Sequence, residues 1–279
     1  MVLIEGNGHM LDGTSLLPLD EAVERAAEMV LEAEYVVALC GAGVSVESGV
    51  PSFWGPDGLW GKLGAPSLKG YRMFLDDPVS WWRQQVDRAA DPARTAFRDA
   101  IERALPNPGH IAIAEMERMG VLRYTITQNV DGLHQAVGGA NVIEIHGNRK
   151  KIRCIGCERR WPRDEFHTDD MPPRCPDCNA LVKTDTVMFG EPVPRMVLDR
   201  CYEEVERCDL LLSIGTSAKV FPAANLPNRV LAAGGAAIEI NTAATRLSPR
   251  AGLVLRGCQC SMTLSVLLLS DFVSTTGFG

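Results

Sequence analysis

The 279-residue chain has no long apolar run, no surplus of basic charge and few aromatic side chains, only 6% of its residues. Its longest apolar tract, Met262 to Val273, is broken by Thr263, Ser265, Ser270 and Asp271 and is too short to cross a bilayer. Met1 to Asp12 has neither the basic start nor the apolar core of a secretory leader, so none is expected. With 28 basic and 35 acidic residues the net charge is −7, and no direct nucleic-acid binding is expected, because neutralising phosphates takes a basic face. That balance still allows a local basic groove. Hydrophobic residues make up 46% and charged residues 23%, which excludes disorder as the dominant state. The length admits two domains, or one large domain carrying an insertion. Nine cysteines in a chain this long, four of them at a metal-ligand spacing, indicate a reducing, cytoplasmic setting and not a disulfide scaffold.

What the sequence does have is alternation. Pro18 to Glu34 puts Leu19, Ala22, Val23, Ala26, Met29, Val30 and Ala33 on one helical side. Tyr35 to Cys40 is almost wholly apolar and runs into Gly41-Ala42-Gly43, a buried strand ending in a tight turn. Further buried strands are expected at Leu122–Thr127, Val142–Ile145, Leu210–Ile214, Ala236–Ile240 and Leu253–Leu255. Helices are expected at Gly109–Met119, Arg195–Arg207 and Pro222–Ala233. The pattern predicts an α/β fold, a doubly wound parallel Rossmann-like sheet with its ligand crevice at the strand carboxyl ends.

Residues 18–52, 106–148 and 182–270 are assigned to that Rossmann-like sheet domain. Residues 149–181, polar, proline-punctuated and carrying four cysteines, read as a zinc-binding insert. Residues 53–105 read as a cofactor-binding loop and the helical part of the same small domain, with Asp91 capping a helix that starts at Pro92.

Cys154-x2-Cys157 and Cys175-x2-Cys178, 17 residues apart, match a zinc-ribbon spacing. Two thiolates three positions apart bend round one ion, and a second pair closes a tetrahedron with no position left for water. The expected ion is therefore one structural Zn2+, with CxxC redox chemistry as the competing reading. Cys201 and Cys208, seven apart, read as core positions on a helix. Gly41-Ala42-Gly43-Val44-Ser45 after a strand suits a phosphate-binding turn. Val46 stands where a dehydrogenase fingerprint has its third glycine, and no acidic residue follows at the ribose-binding distance, which disfavours hydride transfer.

From Gly41 to Gly55 the chain reads GAGVSVESGVPSFWG and closely resembles the sirtuin signature GAGxSxxSGIPxFRG. Thr127 to His134 (TQNVDGLH) resembles that family's TQNxDxLH segment, and Glu144-Ile145-His146-Gly147 its E-x-H-G stretch, directly before the four cysteines. Phe189-Gly190-Glu191, Gly215-Thr216-Ser217, Val220-Phe221-Pro222-Ala223-Ala224 and Asn241 follow in family order, so the resemblance runs from about Pro18 to Cys258.

The resemblance implies an NAD-dependent protein lysine deacylase that passes an acyl group from lysine to ADP-ribose and releases nicotinamide. It implies His146 as general base, Asn129 and Asp131 in the nicotinamide pocket and Gln128 on the ribose. Gly41, Ala42, Gly43 and Ser45 would cradle phosphate, and Phe53 would shield the reactive carbon from water. Gly215, Thr216, Ser217, Asn241 and Cys258 would hold the adenosine end. An extended acyl-lysine peptide would add as a strand between Phe189-Gly190-Glu191 and the loop of Val220 and Phe221, with Phe189, Val220 and Phe221 as tunnel candidates.

Read without the resemblance, His146 at a strand end suits proton abstraction near neutral pH. Asn129 and Asp131 read equally as turn and cap residues, and each aromatic as core. His110 and His167 read as structural, His134 as helix packing or orientation near the site.

Two positions depart from the family pattern. Trp54 stands where the family has an arginine near the NAD diphosphate, and tryptophan cannot replace a bidentate cation. Arg72, Arg83 and Arg88 are candidates to reach in. Gln85 and Arg88 stand where a desuccinylase-like subgroup has Tyr-x-x-Arg, so an acetyl or longer apolar acyl group is expected. Two other functions remain open: a protein ADP-ribosyltransferase or NAD glycohydrolase, and a catalytically weak NAD-sensing module. Retention of His146 argues against the first of these.

Overall fold

The computed structural model describes residues 2–4, 18–53, 58, 64, 67–87, 92–167, 170–259, 261 and 263–268. In chain order the strands are β1 (Val2–Ile4), β2 (Val36–Cys40), β3 (Leu122–Thr127), β4 (Val142–Glu144) and β5 (Lys151–Cys154). They continue as β6 (Arg160–Pro162), β7 (Val182–Thr184), β8 (Leu210–Ile214), β9 (Ala236–Asn241) and β10 (Leu253–Arg256). The helices are α1 (Leu19–Glu32), α2 (Gly70–Asp76), α3 (Pro78–Val86), α4 (Pro92–Arg103), α5 (Pro108–Arg118), α6 (Leu133–Ala136), α7 (Arg195–Arg207) and α8 (Leu226–Ala232).

Seven strands form one parallel sheet in the order β1-β10-β9-β8-β2-β3-β4. Helices on both faces explain why β2 and β8 are apolar without alternation. Val36, Ala38 and Cys40 of β2 pack with α1 and α5 through Ala22, Ala26, Ala112 and Met116. Val37 and Leu39 point the other way, onto Cys201 and Val205 of α7 and Leu226 and Val230 of α8. The chain builds β2, β3 and β4 outward on one side, then returns to build β8, β9 and β10 on the other. The switch between β2 and β8 opens a crevice at their carboxyl ends.

A second sheet, antiparallel in the order β6-β5-β7, stands beside the first. Phe74 of α2 and Trp82 of α3 pack on its Ile152 and Val182, and the Trp82 indole donates to the Val182 carbonyl at 2.9 Å.

The structure differs from the sequence reading in four places. β7, whose residues were expected in the large sheet domain, pairs with β5 in the small sheet. β1 was not expected, and it pairs in parallel with β10 at the sheet edge. The helix expected over 222–233 is a 3-10 turn, Ala223–Asn225, followed by α8, whose Pro227 can supply no N–H to a helix running through. Cys208 lies just beyond α7 and not on it, although both it and Cys201 are buried. Asp91, the expected helix cap, lies outside the described residues.

Candidate active site

The carboxyl ends of β2, β3, β4, β8 and β9 converge on one cavity of about 1010 Å3. Gly41, Ala42 and Gly43 enter it from β2, Gln128 and Asn129 from β3, and His146 from the turn after β4. Gly215, Thr216 and Ser217 follow β8, and Asn241 ends β9. Phe53, Phe189, Gly190, Glu191, Val220 and Phe221 close the remaining wall.

The floor is made of touching backbones. The Gly43 N–H donates to the Gly215 carbonyl at 2.9 Å, and the Gly41 N–H to that of Ile214 at 2.9 Å. A Cβ on Gly43 would sit 2.6 Å from the Gly215 Cα, and Gly215 itself has φ +61°. Only glycine allows that approach, which leaves a flat floor across the strand ends. Gln128 Nε2 donates to Thr216 Oγ1 at 2.8 Å, and Asn241 Nδ2 to the Thr216 carbonyl at 2.9 Å. Among the described residues the wall carries three cations, Arg149, Lys219 and Arg246, and one carboxylate, Glu191, which is bound to Arg153 and Lys183. Within a chain of net charge −7, the cleft suits an anion.

His146 is half-buried, and its Nδ1 lies 3.2 Å from the Gln128 carbonyl. That carbonyl can only accept, so Nδ1 carries the proton and Nε2 keeps its lone pair. Burial lowers the ring's pKa from 6.5, partly offset by the Gln128 carbonyl. The imidazole is therefore neutral at pH 7, as a general base must be.

Ser45 and Asp131 lie beneath the wall, 1% and 3% exposed. Ser45 Oγ donates to Asp131 Oδ2 at 2.8 Å and accepts from Asn129 Nδ2 at 2.9 Å. His110 Nδ1 accepts the Asn107 N–H at 3.3 Å in a reciprocal cap of α5, which leaves Nε2 protonated toward Ser45 Oγ at 3.4 Å. The hydroxyl thus uses one donor and two acceptors, its full capacity. Asp131 also accepts the Leu133 N–H at 3.0 Å, and Asn129 Nδ2 bonds the Gly41 carbonyl at 3.1 Å. Asp131 thus takes the cap role of its alternative reading, and neither it, expected in the nicotinamide pocket, nor Ser45, expected on phosphate, is on the cavity wall, because each is engaged by partners beneath it. Burial depresses His110 to about 4, against the pull of Asp131, and His134 to about 3, with His110 adding to the effect. Both rings are neutral, packed edge-to-face at 4.9 Å.

Other expected residues are placed differently. Cys258 is not on the cavity wall; its thiol donates to Glu47, and its neighbour Gln259 lines the cavity. Phe53 packs on Phe97 with ring centres 5.4 Å apart, and Phe221 is 65% exposed. Arg72 pairs with Asp76 at 3.3 Å, and neither it nor Arg83 lines the cavity. Trp54 and Arg88 lie outside the described residues.

The four expected metal ligands come together. The sulfurs of Cys154, Cys157, Cys175 and Cys178 all lie within 4.8 Å of one another, at 3.4 Å for Cys154–Cys178 and 3.7 Å for Cys157–Cys175. Zn–S bonds of about 2.3 Å in a tetrahedron put sulfurs about 3.8 Å apart, so the set fits zinc. Each pair is followed by a residue in the left-handed region, Glu158 and Asn179, both at φ 59°. All four thiols are free.

A model of the Sir2 family matches residues 41–222. An NAD-dependent protein deacylase 1 of Archaeoglobus fulgidus is 42% identical over 234 residues, 84% of this chain and 92% of its own. The chain belongs to the Sir2 family. Two solved Sir2 structures carry informative ligands. A mutant Sir2 homologue in complex with 2′-O-acetyl-ADP-ribose has a TM-score of 0.75 at 38% identity, covering 92% of this chain and 99% of that one. A Sir2–p53 peptide–NAD+ complex has a TM-score of 0.67 at 29% identity, covering 90% and 96%. The structural readings of His110 and His134 are realised, His110 closing a capping box three residues after Asn107 and His134, in the TQNVDGLH stretch, packing against it.

Proposed function

We propose that this Sir2 protein is an NAD-dependent protein lysine deacylase, moving the acyl group of an acyl-lysine peptide to ADP-ribose and releasing nicotinamide. The observation that carries this reading is His146, a neutral imidazole with Nε2 free, on the wall of a cleft formed by five strand ends. Bound NAD supplies a ribose carbon that is activated by its nicotinamide leaving group, and ribose hydroxyls to receive the acyl group. His146 Nε2 takes the proton from a ribose hydroxyl, and the Gln128 carbonyl holds the ring in the required tautomer. Asn129, fixed by Ser45 and Gly41, orders the nicotinamide end, with Asp131 and His110 holding Ser45 from below. Phe53 excludes water from the reacting carbon. Gly215, Ser217 and Asn241 take the adenosine end, and Arg149, Lys219 and Arg246 supply the positive wall that a diphosphate needs.

The peptide adds between residues 189–191 and 220–221 through backbone bonds, so many sequences are tolerated. Val46, Phe53, Phe97, Met188 and Val193 on the wall favour an acetyl or longer apolar acyl group over an acidic one. The setting is cytoplasmic. The eight described cysteines are all free, and no helix among the described residues is long and apolar enough to cross a membrane.

The test is incubation with NAD and an acetyl-lysine peptide. Nicotinamide, free-lysine peptide and O-acetyl-ADP-ribose are expected in equal amounts. His146→Ala should abolish deacylation while nicotinamide exchange persists. Nicotinamide as the sole product would establish the glycohydrolase or ADP-ribosyltransferase alternative instead, and no product at all the NAD-sensing one.

A further inference from the structure

The small sheet buries charge where a core would normally be apolar. Arg153 on β5 and Lys183 on β7 are directly opposed across the strand pair, with side chains 5% and 0% exposed. Two cations so placed repel. Asp185, 1% exposed, resolves this by accepting from Arg153 Nε and Arg160 Nε, both at 3.0 Å. Glu191, 2% exposed, pairs with Arg153 Nη2 at 2.5 Å and Lys183 Nζ at 3.0 Å.

A buried cluster of this kind is about neutral for stability against apolar side chains of the same volume. Its connections are the informative part. Asp185 Oδ2 accepts the Asn148 N–H at 3.2 Å, two residues beyond His146. Glu191 Oε2 accepts the Met188 N–H at 2.8 Å, in the segment that lines the cleft. The Val187 N–H donates to the His146 carbonyl at 2.9 Å, so the two segments also touch. Gly147, at φ +76°, lies so close to Asp185 that a Cβ would come within 2.1 Å of its carbonyl oxygen. Arg153 directly precedes Cys154, the first of the four thiol ligands.

We infer that Asp185 and Glu191 are positioning residues, which carry the geometry of the metal-bearing ribbon to the His146 turn and to the 187–191 segment. Asp185 holds the turn that presents the base; Glu191 holds the segment against which the peptide lies. Only the kinetic arm of the test rests on the deacylase reading.

Asp185→Ala and Glu191→Ala are compared with the zinc-loaded wild-type chain by amide hydrogen exchange and by steady-state kinetics with NAD and an acetyl-lysine peptide. Asp185→Ala should speed exchange at Asn148 and lower kcat, each at least about tenfold, since misplacing a reacting group by an ångström costs that much or more. Glu191→Ala should speed exchange at Met188 and raise the peptide KM to a similar extent. The dissociation constant for NAD should stay within about twofold in both, because the floor of the cleft lies on the other sheet. If Asp185→Ala loses its zinc or its fold, the paired apolar change Arg153→Met with Asp185→Leu is expected to restore both and keep the kcat defect; if Glu191→Ala does, Lys183→Met with Glu191→Leu is expected to restore both and keep the KM defect. Wild-type exchange at both amides, or peptide KM and NAD binding weakening together, would overturn the inference. A wild-type chain that releases no deacylated peptide would sink the deacylase reading, leaving the exchange data to decide this one.

Discussion

In the seven-stranded sheet, β2 and β8 bury every residue between two large apolar clusters, whereas the three-stranded sheet has six buried members in its cluster, two of them metal-ligand cysteines. The first sheet is stabilised by apolar area withdrawn from water. The second replaces most of that with four metal-ligating thiols and with the Arg153–Asp185–Glu191–Lys183 cluster, which by itself adds little. One sheet should therefore stand without the metal and the other should not.

The largest expected effect follows from that contrast. Removing zinc with a chelator should open 151–154, 160–162 and 182–184 to hydrogen exchange, while β2 and β8 keep their protection and deacylation is lost. The ion completes no catalytic step here, so activity should return with refolding of the ribbon upon zinc addition. Joint loss of protection in both sheets would show that their stabilities are not separable.

The next effect probes the apolar side. Leu211 on β8 is fully buried, and Leu211→Ala should cost about 2–5 kcal/mol in global unfolding, read by denaturant titration. Zinc affinity should not change. A loss below about 1 kcal/mol would mean that the large sheet can collapse round a cavity and is less tightly packed than its burial indicates.

The same contrast governs what could be read in advance. β8 was legible to the residue, because a strand buried on both faces is a near-continuous apolar run bounded by polar turns, and β3 was legible to the residue although Arg123 and two threonines interrupt its apolar pattern. The four thiols were legible from spacing alone, since an ion imposes its geometry on any chain that binds it. β1 was not, because three residues paired with a strand some 250 positions away leave no local signature. Nor was the buried pairing of Lys183 with Glu191, because both residue types normally indicate exposure and only the fold brings the two together. The cleft glycines and His146 were legible as a motif. The pair beneath them was legible as structural histidines, but not their depressed pKa values, because burial is a property of the assembled site.

That pair supplies the smallest effect. His110 and His134 have ordinary values of 6.5 in the unfolded chain, but burial lowers them to about 4 and about 3 in the folded one. Below pH 6.5 the unfolded chain binds protons that the folded chain refuses, so their contribution is complete above 6.5 and is lost as pH falls toward 4 and then 3. Each such proton changes stability by about 1.4 kcal/mol per pH unit. His134 Nε2 has no hydrogen-bond partner among the described residues, so His134→Leu should remove one of these protons without stranding a donor at that nitrogen. Between pH 6 and 4.5 the variant should lose stability with falling pH less steeply than wild type, by up to about 1.4 kcal/mol per unit. Equal slopes would mean that burial of the His134 ring contributes nothing to the acid sensitivity.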